Sequence, residues 1–479
     1  MSLSAADYAV IGAYLLAITA FGSWFARYQK TTRDYFLTDR SVPWWAICFT
    51  IVATETSTLT FIGIPAQAYG GNMTFLQLAI GYIIGRVLVS IIFIPAYFRG
   101  ELFTSYQLLQ RRFGTRVKTL AAVIFLITRS LADGIRLFTT ALVISIVTQV
   151  PVTGVVLVLG AAMIVYTMRG GVSAVIWTDV VQMFVYIAGA VAVAWSLLDR
   201  IPGGWPEVVR AGQETGRFVF FDPAFDLTRA YTIWAGVLGG VALTLSTHGT
   251  DQFLVQRLLS ARSAKEASRG LILSGFIVFA QFILFLLIGV MLFTYYQHVP
   301  LPQTLSRADQ ILPIFVVSEL HHGLAGFIVA AIVAAALSPS LNAMAATTVS
   351  DFYLPYFNPA ADQATQMRVS KLATVGWGVV QLAVAIGAQW MERSVLDAGL
   401  AVLSFASGPV LGAFLLGTLA PGVRERDTFW GMVAGLVVMT GVWWSTPVAF
   451  TWYVLVGTVA TCGVAGALSM IWPRAVVSR

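Results

Sequence analysis

Charged residues are scarce in this chain. They make up 11% of its 479 residues, where a soluble domain carries about 25%, so too few exist to cover a water-facing surface. Cysteine is scarcer still. Cys48 and Cys462 both sit in apolar runs without metal-type spacing, which argues against a disulfide framework or a zinc site. The four histidines form no paired metal motif, and neither a Gly-rich phosphate loop nor a nucleophile elbow is present. ATP-driven and hydrolytic chemistry are therefore not expected, and the chain does not read as an enzyme. No long polar stretch marks a separate soluble domain, and the net charge of +7 does not gather on a polar module. The basic residues punctuate apolar segments instead, which implies a lipid partner and no nucleic acid.

What the chain has is apolar surface: 58% hydrophobic residues and a mean hydropathy of +0.81. Runs of about 20 apolar residues can cross the hydrocarbon as helices. Thirteen such segments lie at approximately 5–27, 43–69, 74–98, 117–148, 151–168, 172–198, 230–256, 268–297, 323–353, 367–391, 395–420, 427–446 and 448–472. The predicted fold class is thus an all-α integral membrane protein forming one transmembrane domain over 1–479. The first segment lacks a basic lead-in and a small-residue cleavage site, so it is expected to be a span and not a removable signal. Loops on one side carry 20 of the 29 basic residues, including Lys118 and Arg257, and loops on the other carry 6. The remaining three, Arg86, Arg129 and Arg136, fall within segments. This asymmetry predicts an external N-terminus and a cytoplasmic C-terminus in the cell membrane. A short helix lying on the outer surface is expected near Asp309–Phe315, and an interfacial amphipathic one at Tyr106–Phe113.

Several residues are ones a lipid-facing helix would not choose. Asp179 sits in the tract Tyr166-Thr-Met-Arg-Gly-Gly-Val-Ser-Ala-Val-Ile-Trp-Thr-Asp-Val-Val-Gln182, where an isolated charge would cost about 2.5–3.5 kcal/mol or more at mid-bilayer. A chain that keeps such a group in lipid ordinarily uses it to move ions or solutes. In the second segment, threonines and serines surround Glu55, followed by Gly63 and Pro65. That composition suits a locally unwound helix with freed carbonyls, although back-bonding hydroxyls in a kinked helix are the plainer alternative. In the ninth, Ala335, Ser338, Pro339 and Asn342 share a face at helical spacing, for packing or for lining a site. Arg129, Asp133 and Arg136 form one stripe of the fourth segment, either a structural ion pair or an anion-binding or gating group. Thr244 to Gln252 is dense enough in polar groups to wall an aqueous pathway, with Asp251 and Gln252 at its end. His248 in that stretch reads as a hydrogen-bonded core residue before it reads as a proton relay.

These residues together resemble the sodium:solute symporter family over nearly the whole chain. The strongest matches are Tyr166 to Gln182, Ala53-Thr-Glu-Thr-Ser57, Asp251-Gln-Phe-Leu-Val-Gln-Arg257, and Leu341-Asn342 with Asp351-Phe-Tyr353. The resemblance implies a leucine-transporter-type core at 43–420 built from two inverted five-helix repeats, segments 2–6 and 7–11. Residues 1–42 and 421–479 would be peripheral. Solute would bind midway across the membrane, between the unwound second and seventh segments.

The resemblance also implies site residues. A first sodium would sit on Ala53 and Thr56 of the second segment and on Ile332, Ala335 and Ala336 of the ninth. The last two are typically Ser or Thr in sodium-coupled members, and alanine removes two oxygens from a hard cation that prefers them. A second sodium would use Asp179 and Ser338, with Pro339 in place of a further serine. Glu55, at a position that is acidic in proline carriers, is a candidate replacement ligand or protonatable site. Ser57, Thr60 and Gln77 match solute contacts of sugar and sialic acid carriers. The arginine that binds carboxylate in the latter has no match at its own position, and Arg129 and Arg136 lie about a turn either side. The expected function is sodium-coupled symport of a small polar solute, such as a sugar or organic acid, with sodium, solute and bilayer as partners; a monomer is compatible with this. The alternatives are a proton-coupled or uncoupled transporter, and a solute sensor on the same fold that has lost transport.

Overall fold

The computed structural model describes residues 3–100, 102–302, 305, 308–336, 340–390 and 395–471. Among these the chain is helical without a β-strand, and a single isolated bridge pairs Val42 with Ala261. Helices are what lipid demands, because each satisfies its backbone polar groups within its own segment. Among the described residues, eight helices are long and apolar enough to cross a membrane, or nine with the bent pair Trp44–Glu55 and Thr60–Gly70.

The predicted thirteen segments exceed that number for identifiable reasons. The fifth and sixth are joined in one 49-residue helix, Val152–Arg200. The second and seventh are each divided into shorter helices, the ninth is described only as Leu324–Ala336 and from Ser340 onward, and Ser404–Leu419 of the eleventh counts only as a shorter apolar helix. A straight helix of that first length would run about 70 Å, more than twice the hydrocarbon thickness. It does not run straight. Gly171 has φ 56° and ψ −153°, a corner between two helices. A Cβ on Gly171 would lie 2.6 Å from the Tyr35 carbonyl oxygen, and one on Gly170 would lie 2.4 Å from that of Gly22. The Tyr35 hydroxyl donates toward the Thr167 and Met168 carbonyls, each 3.3 Å away, at the turn preceding the corner. The Gly-Gly pair of the Tyr166–Gln182 tract therefore lets the short helix Thr32–Leu37 and the first segment pack into the bend.

The first segment, Ala5–Trp24, packs on Val152–Arg200 and on Leu324–Ala336 of the ninth. Asp7 fixes the latter contact, accepting from the backbone N–H groups of Gly323 (2.6 Å) and Gly326 (2.8 Å) at that helix's start, where an anion complements the helix dipole. The twelfth and thirteenth segments, Glu425–Ser445 and Tyr453–Ile471, pack on each other and on the eleventh.

Two expectations change and one holds. The helix expected on the outer surface runs Ile311–Glu319, and Ile311, Leu312 and Phe315 are buried; it is packed into the protein because its apolar residues outnumber its polar ones. Lys118 and Arg257, placed in cytoplasmic loops by sequence, are both buried beside carboxylates. Tyr106–Arg112 is a helix as predicted, with Tyr106 and Leu109 buried and Arg111 and Arg112 in its last turn.

Candidate ion and solute site

Two helices break inside the bundle. In the second segment, Trp44–Glu55 ends where Thr56 turns extended (φ −81°, ψ 104°), and Ser57 starts the helix Thr58–Gly70. The hydroxyl-rich tract supplies the restart. Ser57 and Thr60 form a capping box, in which the Ser57 N–H donates to the Thr60 hydroxyl at 3.3 Å. Gln281 of the eighth segment donates to the Thr56 hydroxyl at 2.5 Å. In the seventh segment, a π-helical turn at Ala235–Gly239 leads into Gly240–Gly249, and the chain breaks at Thr250–Asp251 before Gln252–Leu259. Asp251 caps the restart by accepting from the Phe253 N–H at 2.9 Å. Carbonyls at this break are taken by the hydroxyls of Tyr97, at Gly249, and Ser105, at Thr250.

Three charge clusters surround these breaks. Asp179 accepts from the hydroxyls of Thr50 (2.6 Å) and Thr54 (3.3 Å) and from Arg257 Nη2 (3.0 Å). Glu55 pairs with Arg86 of the third segment, and His248 Nε2 of the seventh lies 3.5 Å from the same guanidinium. Arg129 pairs with Asp251 and, at 3.5 Å, with Asp133. The fourth-segment stripe is thus resolved as an ion pair extended across to the seventh-segment break. Arg136 is not part of that pair. Its Nη2 donates to the carbonyl of Ala335, 3.2 Å away.

Of the residues assigned to the first sodium, Ala53, Ile332 and Ala335 share one buried cluster, and Ile332 meets the restart of the second segment. The Ile332 carbonyl accepts from the Thr58 hydroxyl at 3.2 Å, and Ala53 and Ala335 are buried. Ser338, assigned with Asp179 to the second sodium, lies outside the described residues, as does Pro339. Gln77, assigned to solute, donates to the Tyr231 carbonyl (2.9 Å) and accepts from the Asp222 N–H (3.1 Å), so it tethers the loop before the seventh segment. Gln252 accepts from the Ser105 N–H (2.7 Å) and donates to the Phe103 carbonyl (3.0 Å), on the backbone of residues 103–105.

Sequence reasoning gave no role to Arg86, Thr50 or Gln281. An arginine inside an apolar segment was a sufficient signal for Arg86. Thr50 and Gln281 carried none, because a lone hydroxyl or amide in a long helix is ordinary.

Residues 35–435 match the sodium:solute symporter family. The chain is 28% identical to the sodium/sialic acid symporter SiaT of Proteus mirabilis over 95% of its length and 92% of that protein's. It is 31% identical to the sodium/sialic acid symporter NanT of Aliivibrio fischeri, over 95% and 91% respectively. The human sodium/iodide cotransporter is 30% identical over 90% of this chain and 68% of its own. Among solved structures, a Na+-coupled sialic acid symporter in a substrate-bound outward-open state superposes with a TM-score of 0.92, at 28% identity and 98% coverage of both chains. The nucleobase-cation-symport-1 family transporter Mhp1 shares the fold at 14% identity, with a TM-score of 0.59 over 91% of this chain and 94% of its own. The chain is an integral membrane protein of a transporter family and no enzyme, and it belongs to the sodium:solute symporter family.

Proposed function

We propose that this protein is a sodium-coupled symporter that carries a small polar solute, such as a sugar or organic acid, by alternating access. The observation that carries the reading is the pair of helix breaks at Thr56–Ser57 and Thr250–Asp251, each next to buried charge. Non-helical backbone at membrane depth is tolerated where it is buried in protein or lines a cavity, and broken helices are the recurring way to bind ions and solute at the midplane. On this reading residues 43–420 form two inverted repeats, segments 2–6 and 7–11, with 1–42 and 421–479 peripheral. The N-terminus is external and the C-terminus cytoplasmic in the cell membrane. Ser57, Thr60, Gln77, Arg129, Asp251 and Gln252 border the solute space, and Asp179 with Ser338 is the ion-linked acid. The sialic acid and iodide symporters among its relatives favour an anionic solute.

Proton coupling is the second reading. It is favoured by Glu55, a partly buried carboxylate at a helix break with Arg86 and His248 beside it. The deciding experiment is uptake by purified protein in proteoliposomes, using labelled sugars, monocarboxylates and sialic acid, with sodium and proton gradients imposed separately. Accumulation that needs inward sodium upholds the symporter; accumulation on a proton gradient alone replaces it with the second reading. Binding of a solute without uptake under either gradient points to the sensor.

A further inference from the structure

Four basic side chains are buried among the described residues, and each has a carboxylate within 4.0 Å: Arg86 has Glu55, Lys118 has Asp351, Arg129 has Asp133 and Asp251, and Arg257 has Asp179. Arg136 has none among the described residues. Its guanidinium instead donates to the Ala335 carbonyl at 3.2 Å, and its Nε is buried without a hydrogen-bond partner among those residues. The guanidinium thus rests on a backbone carbonyl, the type of oxygen that also coordinates monovalent metal ions.

The surroundings identify which ion it resembles. One turn along the fourth segment, the Thr140 hydroxyl lies 3.0 Å from that of Thr58, which in turn donates to the Ile332 carbonyl at 3.2 Å. The fourth segment thus reaches the ninth twice, once through Arg136 and once through the first turn after the second-segment break. The two carbonyls engaged, Ile332 and Ala335, are two of the five groups assigned by resemblance to the first sodium. The same helix turn has alanine at 335 and 336, so the hydroxyls a sodium would require are missing where the guanidinium arrives.

We propose that the Arg136 guanidinium is a tethered cation standing in for the first sodium, so that this chain has one sodium position fewer than its family resemblance implies. The proposal rests on the sodium-symport reading for the identity of the ion. A mobile sodium beside Arg136 would be repelled. For unit charges about 4 Å apart at an effective dielectric of about 20, the repulsion weakens binding on the order of a thousandfold. The tethered charge also never leaves with the solute, so it organises the junction without contributing to the ion gradient's work.

The test counts sodium bound at saturation to the full-length protein in nanodiscs, using radioactive sodium alone. It compares wild type, Arg136→Lys, Ala335→Ser with Ala336→Ser, and the triple variant that adds Arg136→Met to the two serines. Wild type, Arg136→Lys and the double-serine protein should bind the same number of ions, and the triple variant one more per chain. A tenfold or greater gain in sodium affinity from the two serines alone overturns the proposal, as does a triple variant without an added ion. Should the methionine variant fail to fold, the double-serine protein still decides, because it keeps the guanidinium: unchanged sodium affinity upholds the proposal. If only the triple variant binds sodium, the tethered cation stands and the sodium-symport reading falls. Wild-type binding with no gain in the triple variant has the opposite meaning.

Discussion

Two buried carboxylate–guanidinium pairs flank the break in the second segment, and they are built differently. Arg257 uses all three of its nitrogens: Nη2 on Asp179 at 3.0 Å, Nε on the Thr50 hydroxyl at 3.0 Å, and Nη1 on the Phe253 carbonyl at 2.6 Å. Thr50 closes the ring, accepting from Arg257 while donating to Asp179. Both charged side chains are within 1% of complete burial. Arg86, equally buried, meets Glu55 and His248 through Nη2 alone, and its Nε and Nη1 find no hydrogen-bond partner among the described residues. Glu55 keeps 16% of its side chain exposed. A satisfied pair lends rigidity to its surroundings, whereas a partly satisfied pair leaves polar capacity for something that comes and goes. The difference teaches that the Asp179 pair ties the fifth–sixth helix to the second and seventh segments, so that an ion reaches Asp179 only by displacing Arg257, and that the Glu55 pair already has polar capacity to spare.

The largest expected effect breaks that tie. Arg257→Met leaves Asp179 charged and fully enclosed, and removing one partner of a buried pair typically costs about 3–5 kcal/mol. Thermal and chemical unfolding of the purified protein should register that loss, and Asp179→Asn combined with Arg257→Gln should recover part of it. A loss below about 1 kcal/mol would mean that solvent or an ion reaches Asp179 freely, and the contrast between the two pairs would collapse.

Glu55→Gln is expected to cost less, about 1–3 kcal/mol, because the amide oxygen still accepts from Arg86 and some of the site is already solvated. Its distinguishing effect is on pH dependence. Glu55 faces Arg86 from the third segment and His248 from the seventh, and acid protonates the carboxylate and removes the charge that balances Arg86. Wild-type uptake should therefore fall from neutral to acid pH, and the glutamine variant, which cannot titrate, should show a flatter profile. Identical profiles for the two proteins would make the Glu55 pair a second tie of the same kind.

The sequence disclosed the members of these pairs unevenly, for physical reasons. Asp179 and Glu55 were legible because an acid inside an apolar run has no inexpensive explanation. Arg257 was not, since it adjoins Leu258-Leu259-Ser260-Ala261-Arg262, and a basic residue at a segment end normally belongs to a cytoplasmic loop. Only the break at Thr250–Asp251 turns it inward. The hydroxyl tract around Glu55 announced a broken helix, but not that Ser57 and Thr60 would be spent on capping the restart. The segment bounds leave residues 169–171 between the fifth and sixth segments, and one of them, Gly171, makes the corner. Nothing in the sequence brought Arg136 to the ninth segment. That contact depends on how the fourth and ninth helices cross, a tertiary property that a local pattern does not encode.

The smallest effect belongs to His248, and it sharpens the assignment of the titrating group. The Thr247 hydroxyl donates to the Leu243 carbonyl at 2.9 Å, so toward His248 it acts as acceptor, 2.9 Å from Nδ1. Nδ1 then carries the ring proton, and Nε2 presents its lone pair to Arg86 at 3.5 Å. The ring is neutral, and its 3.7 Å approach to Glu55 adds no ion pair. Protonating Nε2 would set a second positive charge against a guanidinium that already has one carboxylate between the two, so the ring is better placed to orient Arg86 than to carry a proton. His248→Gln retains an acceptor for Arg86 and should lower stability by less than about 1 kcal/mol, with an uptake pH profile that follows wild type. A profile flattened as far as that of Glu55→Gln would move the titrating proton onto His248, and the partly satisfied pair would have to be redrawn around the imidazole.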